Sequence, residues 1–291
     1  MVKASLFINK VVQSLFSILK VLLLSKLFPE KPIKESGSCL ILGNGPSSKD
    51  TLKEFLPQMK EMTCICVNMF ASNSEFEIIK PKYYVLLDPA FIDEKHESAS
   101  KLIINIIEKT SWALTLIIPY HFRKSSYFLD RVKVNSNITI HYFNYTIVDG
   151  FLPLNHILYN LGIGMPLCQN VLVATIFQGI RMGFDDIYIT GADHSWNENL
   201  RVSNEDNTLY LNDTHFYGQR KRNLSKEFGG DIGTIESQIA KQFISFYKVF
   251  KGHEILANFS KTRGIRIVNI SNHSNIDVYK RGRLQINSLK P

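Results

Sequence analysis

Downstream of residue 38 the chain alternates short, almost wholly apolar runs with stretches whose apolar residues recur at helical spacing. The runs fall at 39–42, 63–67, 83–87, 114–118, 138–143, 187–190 and 265–269. Several are apolar at consecutive positions, the pattern of strands covered on both faces. Stretches at 49–60, 93–110, 168–182 and 234–251 lie in the connections and read as helices. This alternation predicts an α/β fold: a mostly parallel Rossmann-like sheet with helices on both faces, in one domain over 38–291. From 196 to 230 the chain is polar and has no clear period, which predicts a lid-like segment within that domain.

The first 29 residues differ. Leu, Ile, Val and Phe dominate 4–28, but Lys10, Gln13, Ser14, Ser17 and Lys20 interrupt the run. A spanning helix needs about 20 nearly unbroken apolar residues. Lys26, Leu27, Phe28 and Pro29 follow where a signal peptide would offer small residues for cleavage. At about 100° per residue, Lys3, Lys10, Gln13, Ser14, Ser17 and Lys20 gather on one side. Leu15, Phe16, Leu19, Leu22 and Leu23 lie across from them. Such an amphipathic helix suits the headgroup layer of an anionic membrane. Packing on its own domain, or on a second subunit in a homo-oligomer, is the competing reading. Pro29 and Pro32 end the segment.

With 291 residues, 45% of them hydrophobic and 21% charged, the chain can bury a sizeable core and is not disordered in composition. A net charge of +8 asks for a polyanionic neighbour: anionic lipid, a phosphorylated substrate or nucleic acid. The chain has no Arg-rich helix, zinc spacing or aromatic RNA-binding signature, which argues against nucleic acid. Cys39, Cys64, Cys66 and Cys168 form neither a metal nor a disulfide pattern and read as buried free thiols.

Candidate chemistry gathers where strands end. The first strand runs into Gly43-Asn44-Gly45-Pro46-Ser47, the second into Asn68, the third into Asp88-Pro89, and the 187–190 strand into Gly191-Ala192-Asp193-His194. Open parallel sheets bind ligands at these carboxyl ends, and four such ends together predict a site. Gly43 and Gly45 would let backbone N–H groups approach a phosphate at a helix N-terminus, with Ser47 or Ser48 as the cap. The turn lacks the Gly-Lys-Ser/Thr of a P-loop and the three spaced glycines of a dinucleotide fingerprint, so it implies an unusual nucleotide mode. Asp88 could accept from an amino group or a ribose. Asp193 and His194 could bind a ribose or metal, or move a proton. Within the polar segment, Asn212-Asp213-Thr214-His215-Phe216-Tyr217-Gly218 sets His215 near Tyr217, suited to general-base work. Arg220, Lys221 and Arg222 follow as cations for phosphates of a donor or a lipid-linked acceptor.

Five segments keep a common order: Ile41-Leu42-Gly43-Asn44-Gly45-Pro46-Ser47, Cys66-Val67-Asn68-Met69-Phe70, Asp88-Pro89, Gly183-Phe184-Asp185-Asp186-Ile187-Tyr188-Ile189-Thr190-Gly191-Ala192-Asp193, and the run from Asn212 to Gly218. Together they resemble the bacterial sialyltransferases of glycosyltransferase family 42, lipooligosaccharide type, over most of 38–260. The resemblance implies a sialyltransferase-like GT-A variant, a CMP-sugar donor, no cofactor, no metal, and inversion at the anomeric carbon. It implies Asn44 at the donor phosphate, Asn68 at the donor sugar and cytidine, and Asp88 near the cytosine or ribose. Gly191 and Asp193 would bind the ribose, and His215 would take the acceptor hydroxyl proton. The implied acceptor is a cell-surface glycan or glycolipid, and the implied place of work the cytoplasmic face of the inner membrane, held peripherally.

Two positions depart from the family. It carries two phosphate-stabilising tyrosines soon after Gly-x-Asp; here Ser195 stands at the nearest, leaving Tyr210, Tyr217 or His194 as substitutes. Asp88 stands where the family often has Asn. CMP-Kdo is the alternative donor, with Asp193 then a carboxylate nucleophile in a retaining enzyme. A pterin pyrophosphokinase, using ATP and Mg²⁺ held by Asp88 and Asp193, is the alternative enzyme class. A non-enzymatic sugar- or nucleotide-binding module is the third.

Overall fold

The computed structural model describes residues 2–216, 218–227 and 237–284. Helix α1 (Val2–Leu24) comes first, then β1 (Ser38–Leu42), α2 (Ser48–Met59), β2 (Thr63–Val67), α3 (Glu75–Ile79) and β3 (Tyr83–Val85). Next are α4 (Glu97–Lys109), β4 (Leu114–Pro119), α5 (Ser126–Val132), β5 (Ile138–Phe143), α6 (Leu152–Leu161), α7 (Val171–Met182) and β6 (Asp186–Thr190). The chain continues through β7 (Leu200–Val202), β8 (Leu209–His215), β9 (Gly218–Asn223), α8 (Leu224–Glu227), α9 (Gln238–Thr262), β10 (Arg266–Asn269) and β11 (Lys280–Arg281).

Eight of these strands form one parallel sheet in the order β11-β10-β6-β1-β2-β3-β4-β5. Every apolar run predicted to be a strand lies in it. The runs are apolar throughout because alternate side chains enter two cores. Cys39 and Ile41 join the layer that holds α7, while Leu40 and Leu42 join the layer under α2 and α4. Helix α7 is buried from Leu172 to Met182 and packs against both the sheet and α9, so it is mostly apolar, with Thr175, Gln178 and Arg181 the buried polar exceptions. All four cysteines are buried and unpaired, and burial pushes their thiols up.

The chain winds outward from β1 to β5, then returns to β1's other edge as β6. Such a reversal opens a crevice at the carboxyl ends of β1 and β6. Topology alone therefore sets Gly43–Ser47 against Gly191–His194.

Three elements differ from the sequence expectation. Helix α9 continues past 251 to Thr262. Gly252 reads as a stop, but a Cβ there would stand 2.4 Å from the Leu167 carbonyl oxygen, so the glycine permits close packing inside a helix. The expected residues 234–236 lie outside the described residues. The polar segment holds an antiparallel sheet, β7-β8-β9, where no period was legible; its 228–230 portion is outside the described residues. Leu209, Leu211 and Asp213 alternate inward along β8, and the charge at the third position hid the period. Leu200, Leu209, Leu211, Leu224 and Phe246 give this sheet a small core of its own.

Helix α1 is the third. Ser14, Ser17 and Val21 are its buried side. Ser17 Oγ donates to the Asp149 carbonyl at 2.8 Å, Lys20 Nζ donates to the Ile147 carbonyl at 2.8 Å, and Ser14 Oγ accepts from Phe151 N–H at 3.0 Å. Leu15, Phe16, Leu19, Leu22 and Leu23 are exposed. Ser14, Ser17 and Lys20 of the polar side, expected to face headgroups, pack on the domain while Lys10 and Gln13 stay exposed, and the apolar side faces outward.

Candidate active site

A cleft of about 500 Å³ opens at the switch point, walled by the ends of β1, β2 and β6, the β8–β9 hairpin and the first half of α9. Asn44, Gly45, Pro46, Asn68, Asp88, Gly191, Asp193, His194 and His215 all line it. Gly43 and Ser47 stand behind this wall. Tyr217 lies outside the described residues.

The glycine turn does something other than cradle a phosphate. Gly43 N–H donates to the Thr190 carbonyl and Gly45 N–H to the Gly191 carbonyl, both at 2.9 Å. A Cβ on Gly45 would stand 2.0 Å from Asp193 Oδ2, and Gly191 adopts φ +62°. These glycines let two strand-end loops press backbone to backbone. Ser48 Oγ donates to the Gly43 carbonyl at 2.6 Å, so neither serine caps α2 with its side chain. The carboxylate of Asp193 takes that place: Oδ1 accepts Ser47 N–H at 3.1 Å and Oδ2 accepts Ser47 Oγ at 2.8 Å. The anion at this helix N-terminus is thus an internal one. Burial raises the Asp193 carboxyl above its ordinary range, and the Ser47 hydrogen bonds pull it part of the way back.

Three acceptor oxygens on the cleft residues are buried without a partner among the described residues: Asn44 Oδ1, Asn68 Oδ1 and Asp213 Oδ1. Asn44 is oriented by its own Nδ2, which donates to the Val67 carbonyl at 3.1 Å. Asn68 sits at φ +43°, a conformation Asn tolerates better than most residues. An unpaired buried acceptor costs about 1–3 kcal/mol. Three in one cleft suit a ligand rich in O–H and N–H donors. Asp88 is exposed at the rim, where Oδ1 accepts Ala90 N–H at 2.9 Å and caps the short helix Pro89–Ile92. Asp88 and Asp193 thus each have a protein partner already. Among the described residues no three acidic, imidazole or thiol groups cluster to hold a metal.

His215 and Asp213 are two apart on β8 and share one face. His215 Nε2 lies 3.3 Å from Asp213 Oδ2, and Arg222 Nη1 lies 3.5 Å from the same oxygen. Burial pushes the Asp213 carboxyl up, but His215 and Arg222 more than reverse this and hold it below its ordinary range. Glu227, hydrogen-bonded to Arg222 Nε at 3.0 Å, and then Asp213 keep that guanidinium above its ordinary value. Of the basic run, Arg222 reaches the cleft and Lys221 lies over the Tyr210 ring instead.

His194, at φ +50°, belongs to a buried chain rather than to an exposed Asp-His pair. Its Nε2 is 2.9 Å from His253 Nε2, and His253 Nδ1 is 3.0 Å from the Tyr279 hydroxyl. Burial drives His194 well below the ordinary imidazole range and His253 down to about 3, so both are neutral. Trp196 lies against His194 with ring centroids 4.5 Å apart.

No protein-family model matches the chain, and no curated protein matches it. Among solved structures it is similar to the MAf glycosyltransferase of Magnetospirillum magneticum AMB-1, with a TM-score of 0.50 and 13% identity over 92% of this chain. The chain shares the fold of that glycosyltransferase. The match takes in 36% of the other protein, so this chain spans about a third of its length. At that identity the likeness is architectural, and the chemistry rests on the cleft's own residues.

Within this glycosyltransferase fold, sequence reasoning missed Asn170, Gln242, Ser245 and Phe246 as cleft residues and left Asp213 without a role. Asn170 had a legible signal, a capping Asn just before an apolar helix; its Oδ1 accepts Leu172 N–H at 2.7 Å. Gln242, Ser245 and Phe246 had none, because α9 reaches the cleft only through tertiary packing.

Proposed function

We propose that this chain is a glycosyltransferase moving a keto-sugar, sialic acid or a relative, from a CMP-sugar donor to a hydroxyl of a cell-surface glycan or glycolipid. The observation that carries this reading is the Asp213–His215 pair on a cleft whose unpaired acceptors call for hydroxyl and amino donors. The glycosyltransferase fold and the ordered motifs support it independently. His215, held with Nε2 3.3 Å from Asp213 Oδ2, takes the acceptor hydroxyl proton on its imidazole as the new C–O bond forms. The anomeric bond to CMP breaks, and its electron pair leaves on the phosphate. The tertiary anomeric carbon ionises readily, so the protein's work is positioning, charge stabilisation and deprotonation. Cationic Arg222 supplies donors to the leaving phosphate in place of the absent tyrosines. Asp193, with both oxygens held by Ser47, clamps the loop, which favours inversion over a carboxylate-nucleophile route. Mass analysis of products tests the reaction class. A glycosylated acceptor and CMP are expected from a CMP-keto-sugar, whereas AMP formed from ATP and a pterin overturns the reading.

The enzyme in this reading works on an anionic membrane surface, with α1 in the plane of the headgroups. By length and composition residues 4–24 could cross a bilayer. But Ser14, Ser17, Lys20 and Ser25 are all hydrogen-bonded to the 146–163 region, and Phe7 meets the Phe151 ring at 5.6 Å. A helix tied along its own domain over that length lies flat, offering its leucines to the acyl boundary while the net charge of +8 attracts acidic lipid. Replacing Leu15, Leu19 and Leu23 by Ser leaves the docked side intact and is expected to abolish flotation with anionic liposomes. Unchanged flotation, or loss of a dimer instead, assigns the face to something other than membrane.

A further inference from the structure

A second cavity of about 80 Å³ lies away from the cleft; Lys34, Arg181, Arg263 and Asn160 supply its polar wall, and Ile180 and Phe259 part of its apolar one. Helix α7 runs from Asn170 at the cleft to Arg181 just before β6 begins, so this cavity sits at the opposite, amino edge of the sheet. None of its lining residues is acidic. Arg181 is the unusual member. It is 9% exposed, and its Nε is buried with no hydrogen-bond partner among the described residues. Its guanidinium fills the space where Gly162 has no side chain, since a Cβ there would lie 2.2 Å from Arg181 Nη2. Arg263 is held at the opening by donating Nη1 to Asn160 Oδ1 at 3.0 Å.

A buried charge is costly unless it is paired. Here a nearly buried guanidinium, over the Phe177 ring at 5.9 Å, shares a cavity lined by two further cations and no acid, an arrangement that an oxyanion completes. Arg presents a planar fork matched to phosphate oxygens, and charge-assisted hydrogen bonds of this kind are the strong ones. We infer that this cavity is a binding site for a phosphate monoester, either a lipid headgroup or a soluble phosphate. The exposed Ile157 and Leu161 of α6 flank Asn160, bringing the cavity beside apolar surface.

Inorganic phosphate is the probe, titrated at constant ionic strength against the thermal unfolding of the full chain. Phosphate is expected to raise the melting temperature where chloride does not. The rim variant Lys34→Ala/Arg263→Ala leaves Arg181 packed and is expected to weaken the apparent phosphate affinity by about tenfold per cation removed. Flotation with phosphatidic acid vesicles, against phosphatidylcholine, separates the sources. Loss of flotation in the rim variant assigns the lipid headgroup. A lost thermal response with flotation unchanged assigns soluble phosphate. If both readouts are the same in wild type and variant, the site is overturned.

Discussion

His215→Ala is expected to lower kcat by about 100-fold or more while CMP affinity stays nearly constant. In the proposed mechanism the imidazole meets the reacting hydroxyl only as its proton leaves, so its removal would be felt in the transition state rather than in donor binding. Asp213→Asn should lower kcat by less, because an amide still fills the space but does not fix the Nε2 proton 3.3 Å away. Steady-state kinetics with a saturating CMP-sugar, beside calorimetric CMP binding, separates the two effects. Near-normal turnover in His215→Ala would give the base to another residue.

Acidification from pH 7.5 to 5 is expected to remove about 2 kcal/mol of stability through His253, with His194 adding in the same direction. Unfolded imidazoles titrate near 6.5, whereas His253 in the fold is pushed to about 3 and His194 also lies well below its ordinary value. Between those values the unfolded chain binds more protons than the folded one. The contribution is whole above about pH 6.5 and is lost as pH falls toward the folded values, at about 1.4 kcal/mol per pH unit per imidazole. Burial also lowers His121, His141 and His156, which adds in the same direction. Urea midpoints across this range measure the slope, and His253→Gln should remove one imidazole's share of it. Stability that stays flat down to pH 5 would contradict the buried neutral chain.

The legible parts of this molecule are those whose cause is local. Consecutive apolar positions such as those of 39–42 announced a strand covered on both faces, and the small and polar residues at the ends of β1, β2 and β6 announced the cleft. The Gly43–Ser47 turn shows the limit. Its glycines are visible in the sequence, but their purpose, room for the Gly191 loop and the Asp193 carboxylate, depends on a strand that arrives more than a hundred residues later. Likewise Ser14 and Ser17 read as one side of an amphipathic helix; the loop at 149–151 that claims them is a tertiary fact. Strand β8 was obscured because its third inward residue is Asp213, a polar group with a task in the cleft, and functional positions are where local pattern and fold disagree.

If the cleft takes cytidine monophosphate, as proposed, calorimetric titration will show it. The 4-amino group of cytosine can donate to a buried acceptor such as Asn68 Oδ1, whereas uracil presents a carbonyl there and leaves two acceptors facing each other. CMP is expected to bind at least about tenfold tighter than UMP or AMP, to do so in EDTA, and to lose affinity in Asn68→Ala. Tighter binding of ATP with Mg²⁺ than of CMP, or equal binding of CMP and UMP, would contradict the account.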